Sequence, residues 1–346
     1  MKLGILLGTG GGGYQIDLER VKEAEDLGYD SIWTSEAWGA DAISPAAWVL
    51  ANTSRIKVGT AIMQMPARTP AMTAMTTMTL QHLSNNRFIL GIGPSGPQVI
   101  EGWHGQPFGK PLMRTKEYIS IVRKVLAREA PLTHEGEHYQ IPYTGAGSTG
   151  LGKPLKSILH GNPDQKIYTA SFSPRGMTMS AEVADGVFPI FMNPERFDVF
   201  EPYINKGFEK AGGGKSLENY DIAPFCRVSM DDDVEKARLP IKENLALYIG
   251  GMGAREKNFY NDFAKRVGYE EEAVKIQDLF LGGRKAEAVA AVPDKLVDEV
   301  SLVGPKERIV ERLDAWKQAA KNRHVDSLLI SGNDRAAMRV IAEAVL

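Results

Sequence analysis

Eight short apolar runs alternate with eight amphipathic stretches along this chain, and that alternation limits the fold more than any other feature. The runs lie at 2–7, 31–35, 56–62, 87–93, 166–171, 186–191, 221–229 and 325–330. Helical patterns follow at 17–27, 45–51, 69–83, 115–128, 177–184, 197–210, 305–321 and 334–345. In the first of them Leu18, Val21, Ala24 and Leu27 recur at helical spacing, and Gly28 closes the element where a C′ glycine belongs. Strand–helix units in unbroken order predict parallel strands joined by right-handed crossovers, and eight such units close a ring. The expected fold class is therefore α/β, a (β/α)8 TIM barrel. Length alone, 346 residues, suggests about two domains. The alternation instead predicts a single barrel domain over 1–346 with two insertions. One is the Gly- and Pro-rich stretch near 131–163; the other is the helical stretch near 234–300, broken at Gly250-Gly251, Gly282-Gly283 and Pro293.

Charge and cysteine content remove several function classes. Lys plus Arg is 41 and Asp plus Glu is 43, a net charge of −2. No surplus is available to hold nucleic acid or an anionic membrane, and neither partner is expected. The lone cysteine, Cys226, rules out an internal disulfide and a Cys-rich metal site. No apolar run approaches the ~18 residues of a spanning helix. The start, Met1 to Leu7, runs into glycine without a signal-peptide core or cleavage site, so a cytoplasmic location is expected.

In such barrels chemistry sits at the C-terminal ends of the strands, which directs attention to the loops there. Gly8-Thr9-Gly10-Gly11-Gly12-Gly13 and Gly91-Ile92-Gly93-Pro94-Ser95-Gly96 both match G-x-G-x-x-G after a strand. One dinucleotide needs one such turn, and the first is followed by non-helical residues before Asp17. Bare backbone that lets a flat cofactor approach is the better reading. The chain holds 35 glycines, about 10% against a usual ~7%, and many follow apolar runs.

His134-Glu135-Gly136-Glu137-His138 matches the zinc motif H-E-x-x-H, but Gly136 at its centre and Pro131 and Pro142 beside it predict a β-hairpin, so no metal is expected. His82 and His324 are expected to be structural, and Cys226 a small core residue. Met72, Met75 and Met78 form a stripe expected to pack in the core, whereas Met63 and Met65 are expected near the barrel mouth. His104, in the excursion after the fourth strand, is a candidate for proton transfer or for an ordinary loop histidine. Ser171-Phe172-Ser173-Pro174-Arg175-Gly176 leads from the fifth strand into a helix. It suits a phosphate seat and an ordinary capped helix start equally well.

The ordered set of local motifs resembles the bacterial luciferase-like superfamily, in particular its class of coenzyme F420-dependent oxidoreductases. The stretches are Leu27 to Trp33, Val58 to Ile62, Asn86 to Gly93, Ala181 to Val187 and Leu302 to Pro305. Ser95 to Val99 and Tyr248 to Gly253 also look like the F420 subgroup. The resemblance implies a barrel with an isoalloxazine-type ring across the strand ends. It implies a non-proline cis bond at Ala61-Ile62 behind the ring, with Gln64 next to it, and Glu36 as an acid facing the coenzyme. It implies a tail along Ser171, Ser173 and Arg175, with Gly93, Ser95 and Gly96 nearby. Relatives that oxidise a sugar phosphate have a histidine where this chain has Ala37 and an acid where it has Gly96, so that chemistry is not expected. Glu36 and His104 remain as candidate catalytic residues.

The resemblance thus implies a homodimeric oxidoreductase passing hydride between F420 and a small organic substrate. The alternatives are an FMN-dependent monooxygenase, which would use O2 and a flavin reductase partner, and a non-catalytic flavin-binding barrel. Both insertions are expected to roof the mouth.

Overall fold

The computed structural model describes residues 1–8 and 12–346. Its sheet is a ring of eight parallel strands: β1 (Lys2–Leu6), β2 (Ser31–Thr34), β3 (Lys57–Thr60), β4 (Phe88–Gly93), β5 (Ile167–Ala170), β6 (Gly186–Phe188), β7 (Phe225–Met230) and β8 (Ser327–Ser331). The helices that return the chain are α1 (Leu18–Asp26), α2 (Ile43–Ala51), α3 (Pro70–Ser84), α4 (Pro111–Ala127), α5 (Pro174–Val183), α6 (Glu201–Ala211), α7 (Lys306–Lys321) and α8 (Arg335–Val345). Asp17, Thr69, Ser173 and Asp334 cap four of them through side-chain oxygens. Gly28 follows α1 with φ +90°, the C′ conformation expected of it.

Closure depends on one bent segment. Asp221–Ile222 pairs with β6, and its continuation from Phe225 pairs with β8. The break falls at Pro224, which has no N–H to donate. Proline also shortens β6, which ends at Phe188 before Pro189 rather than at Phe191. Beyond that point the free edge of β7 is taken by an outer strand, Ser301–Gly304, which pairs with Arg227 to Met230.

Strand side chains alternate between two cores. The outward set, such as Leu3, Ile5, Ile32, Val58, Leu90, Cys226 and Ile330, packs under the helices. The inward set fills the barrel with Trp33, Tyr168, Phe188, Phe225 and Leu329. Phe188 stacks on Tyr168 at 5.3 Å and on Phe225 at 5.5 Å, while Trp33 meets Phe188 edge-on at 5.1 Å. These rings fit because the strands that face them carry glycine. A Cβ on Gly59 would strike the Trp33 ring, and one on Gly186 the Tyr168 ring. A Cβ on Gly91 would run into the Thr60 carbonyl. Gly59, Gly91 and Gly186 therefore make room for an aromatic plug, a role distinct from turns.

Several expectations are corrected. Met72 and Met75 are exposed on α3 and only Met78 is buried, because a three-residue spacing drifts around the helix and leaves the apolar face. Met63 and Met65 are fully buried in the core instead of lining the mouth. The 131–163 segment does not roof the barrel. It forms the expected hairpin, His134–Glu135 against Gln140–Ile141, on the outer side of α4. There the Glu117 carboxylate accepts the N–H groups of Glu137, His138 and Tyr139 at 2.9–3.1 Å. Burial alone would raise the Glu117 carboxyl, but these N–H groups and the His134 imidazole outweigh it and hold it below its ordinary value. Gly161 then lies against Met78 and Leu126.

The 234–300 stretch is helical and has its own apolar cluster around Leu245, Ile249, Ile276 and Val297. It reaches the mouth. Arg266 donates to the Phe172 carbonyl at 2.5 Å, and Tyr260 stacks on Phe172 at 5.0 Å. His82 meets the His160 carbonyl and His324 stacks on Phe197, both structural as expected. Among the described residues no helix is long and apolar enough to cross a membrane.

Candidate functional site

Three clusters meet at the C-terminal rim. The first is polar. Glu36 stands two residues past β2, and Arg68 Nη1 reaches both its carboxylate oxygens at 2.8 and 2.9 Å. The Gln64 backbone N–H donates to the same carboxylate at 3.1 Å. Gln64 is held because Met63–Gln64 pairs with Ile92–Gly93 of β4 while Met63 and Met65 anchor in the core. Its side-chain NH2 donates to the carbonyls of Ala37 at 2.8 Å and Glu36 at 3.3 Å. That fixes the amide orientation, so Oε1 is the acceptor for His104 Nε2 at 2.8 Å. His104 therefore carries its proton on Nε2, and Nδ1 has no partner among the described residues.

The second cluster is the floor. The Ala61-Ile62 bond is cis, as the resemblance implied. A Cβ on Gly93 would lie 3.0 Å from the Ile62 side chain and 3.6 Å from the Ala170 Cβ, so the bare glycine lets Ile62 lie against β4. Ser95 takes φ +59° and Gly96 heads the short helix Pro97–Gly102, whose far end carries Trp103 and His104. Gly91 and Gly93 lie within β4 and the helix after Gly96 has six residues, so Gly91 to Gly96 does not make the turn into a long helix that a dinucleotide site uses. The first glycine motif falls partly outside the described residues.

The third cluster follows β5. Ser173 accepts the Gly176 N–H at 3.2 Å and caps α5, and Ser171 Oγ sits beside the same turn. Arg175 is exposed with no carboxylate partner among the described residues. An aromatic wall from the 234–300 stretch overlooks this side. Tyr248 meets Tyr260 edge-on at 4.7 Å and Phe191 at 5.7 Å. A cavity of about 280 Å³ between that stretch and the loop after β6 is lined by Asn193, Tyr269 and Glu299 and shares Phe191 with this wall, but none of the residues of the three clusters.

The sequence reading named Glu36, Ala61, Ile62, Gln64, Gly93 and His104 separately, and the structure brings them into one neighbourhood. It missed Arg68, which stands 32 positions from Glu36. A lone cation in the otherwise uncharged loop before α3 was the available signal. The pair changes what Glu36 can be. Its side chain is 8% exposed and that of Arg68 19%, so the carboxylate already has a buried counter-ion. Glu36→Gln is expected to cost about 3 kcal/mol, because it strands a guanidinium out of water. Thermal unfolding checks this; an unchanged melting temperature with lost coenzyme affinity would sink it.

The rim suits a flat ring with an anionic tail. Donors and acceptors flank the floor, and the start of α5 offers a guanidinium without a carboxylate partner among the described residues, beside hydroxyl groups.

Comparison with known proteins agrees with this architecture. The luciferase-like monooxygenase family profile matches residues 1–323. A Mycobacterium tuberculosis protein, named as a proposed coenzyme F420-dependent oxidoreductase, is 43% identical over 100% of this chain and 99% of its own length. The 5,10-methylenetetrahydromethanopterin reductase of Archaeoglobus fulgidus is 27% identical over 94% of this chain and 93% of its own. The structure of the coenzyme F420-dependent tetrahydromethanopterin reductase of Methanopyrus kandleri superposes with a TM-score of 0.78 at 22% identity, covering 99% of this chain and 98% of that one. The chain belongs to the luciferase-like monooxygenase family.

Proposed function

We propose that this protein is a coenzyme F420-dependent oxidoreductase that moves a hydride between the deazaflavin and a small organic substrate. The observation that carries this reading is the 43% identity along the whole chain to the mycobacterial protein named for F420. The rim supports it. Ala61, Ile62, Gly93 and Gly96 would meet the ring, and Ser95, Ser171, Ser173 and Arg175 the tail. Coenzyme F420, when bound, supplies a two-electron hydride carrier. The protein's own work is then to orient the two reactants, exclude water and handle the accompanying proton. His104 suits that last task. Gln64 holds its Nε2–H, and Nδ1 is left to take or return a proton. Glu36 serves as the anchor that keeps Arg68 and the Gln64 backbone in place.

A second reading, an FMN-dependent monooxygenase using O2, reduced flavin and a reductase partner, is favoured by the family description itself. Direct titration separates the two. F420 is expected to bind at least about tenfold more tightly than FMN, a difference of about 1.4 kcal/mol. Tight FMN binding without F420 binding, with oxygen uptake coupled to substrate, overturns the proposal. Binding without turnover on alcohols, enones and imines would point to a non-catalytic barrel.

Trp48 on α2 and Met72, Met75 and Leu83 on α3 are large, apolar and exposed. Apolar side chains gathered on adjacent helices support a homodimer. Analytical ultracentrifugation should give twice the 37.9 kDa chain mass, and a monomer at micromolar concentration would exclude it.

A further inference from the structure

Arg227 is a charged residue at the barrel mouth that the proposed chemistry has not used. It lies on β7 two residues after Phe225, so it shares the inward face of that ring. Cys226 between them faces the outer core. The register sets Arg227 opposite Ser331 at the end of β8, one step above the aromatic plug. The alternation thus turns the side chain toward the mouth, where it is exposed.

It makes no hydrogen bond and no ion pair with any described residue. The other partly enclosed arginines do. Arg87 is held by the carbonyls of Leu50, Thr53 and Ile56. Arg238 is held by Asp294 and Asp298, Arg68 by Glu36, and Arg266 by the Phe172 carbonyl. Around Arg227, burial lowers the pKa from the ordinary guanidinium value, and the Tyr248 phenol is the titratable group acting against that. No carboxylate acts on it. A guanidinium stays charged at any ordinary pH and offers five N–H donors, all of them uncommitted here among the described residues. A fixed cation with free donors at the mouth of a barrel is a ready site for an anionic ligand.

We infer that Arg227 receives the anionic group, a carboxylate or a phosphate, of the substrate that reacts at the barrel mouth. This rests on the reading of the rim as an F420 site, because it takes the floor as the coenzyme's place and the opposite wall as the substrate's. The seat at Ser171 to Arg175 leads outward over the rim after β5. Arg227 points inward from β7, beyond β6 in the ring order. A guanidinium fork matches the two oxygens of either anion. Tyr248 is the nearby side chain from the 234–300 stretch. The neighbouring rim residues Ala61, Gly93, Ala170 and Ser331 are uncharged, so one cation would set the preference between charged and neutral substrates.

The test uses the full-length protein with F420 bound, titrated calorimetrically with inorganic phosphate and with succinate. Wild type is expected to bind one of them saturably, and the tighter one tells which anion the substrate carries. Arg227→Met should weaken that binding at least about tenfold, and Arg227→Lys should recover part of it. Both variants should keep the melting temperature and bind F420 within about twofold of wild type, since the side chain holds nothing else in place. Unchanged anion binding in Arg227→Met, or none in wild type, overturns the inference. So does a loss of F420 affinity in Arg227→Met, which would make Arg227 a coenzyme ligand. If wild type does not bind F420, the proposed function fails by itself. The same two anions titrated into the coenzyme-free protein then decide the role of Arg227 by the same criterion.

Discussion

Replacing His104 by alanine is expected to slow turnover by about 10²–10⁴-fold, the usual range for a positioned acid or base, while coenzyme affinity changes by no more than about twofold. The argument is geometric. Gln64 spends its NH2 on the Ala37 and Glu36 carbonyls, which leaves its Oε1 to take the imidazole Nε2–H. The ring is thereby held in one tautomer with Nδ1 unclaimed among the described residues. A merely structural loop histidine would show the reverse pattern, with a lower melting temperature and unaltered kcat in the folded fraction. Single-turnover kinetics on protein saturated with coenzyme separate the two outcomes. Addition of imidazole to the alanine variant should restore part of the rate if proton transfer is the lost function. An unchanged rate would remove His104 from the mechanism and leave proton exchange to water.

Gly91→Ala is expected to be the most disruptive small change in the barrel. Its Cβ would point into the Thr60 carbonyl and crowd the Phe188 ring. Neither neighbour can retreat. The Thr60 hydroxyl accepts the Gly91 N–H at 3.1 Å and donates to the Gly91 carbonyl at 2.7 Å, and Phe188 is stacked between Tyr168 and Phe225. A destabilisation of about 3 kcal/mol follows from overpacking, or roughly 4 °C in melting temperature for a chain of 346 residues. Gly102→Ala is the control. Nothing lies within 4 Å of its added Cβ, and it should stay within about 0.5 kcal/mol of wild type. Equal melting temperatures for the two variants would overturn the close β3–β4 contact at Gly91.

The barrel was legible because its evidence is local. Each strand is a few apolar residues closed by a turn residue, and each helix start carries an oxygen cap or a proline, so short-range chemistry repeats eight times in order. What was not legible depends on the third dimension. Nothing near Arg68 announces a carboxylate 32 positions away. The methionines of α3 read as one stripe, yet which of them meets the core depends on how the helix is rotated, and Met72 and Met75 face outward. Composition marked 131–163 as an insertion but was silent on which side of the helices it would lie; the Glu117 carboxylate and the apolar pair Met78 and Leu126 decide that. Arg227 sat in a strand among apolar neighbours, the available cue for a functional cation, but a single charge in a strand more often marks a solvated face. Only the alternation with Cys226 and Phe225 reveals that it turns inward.

The stacked rings inside the barrel have a kinetic consequence. Trp33, Tyr168, Phe188 and Phe225 stop the tube from below, so the floor at Gly93 is reached from above, through an opening that the 234–300 stretch partly overhangs. Two reactants that must share one doorway cannot come and go independently. The deeper one boards first and disembarks last, and a high concentration of the shallower one imprisons it. Traffic through this enzyme should accordingly be sequential, and its queue is set by residues that never touch either passenger.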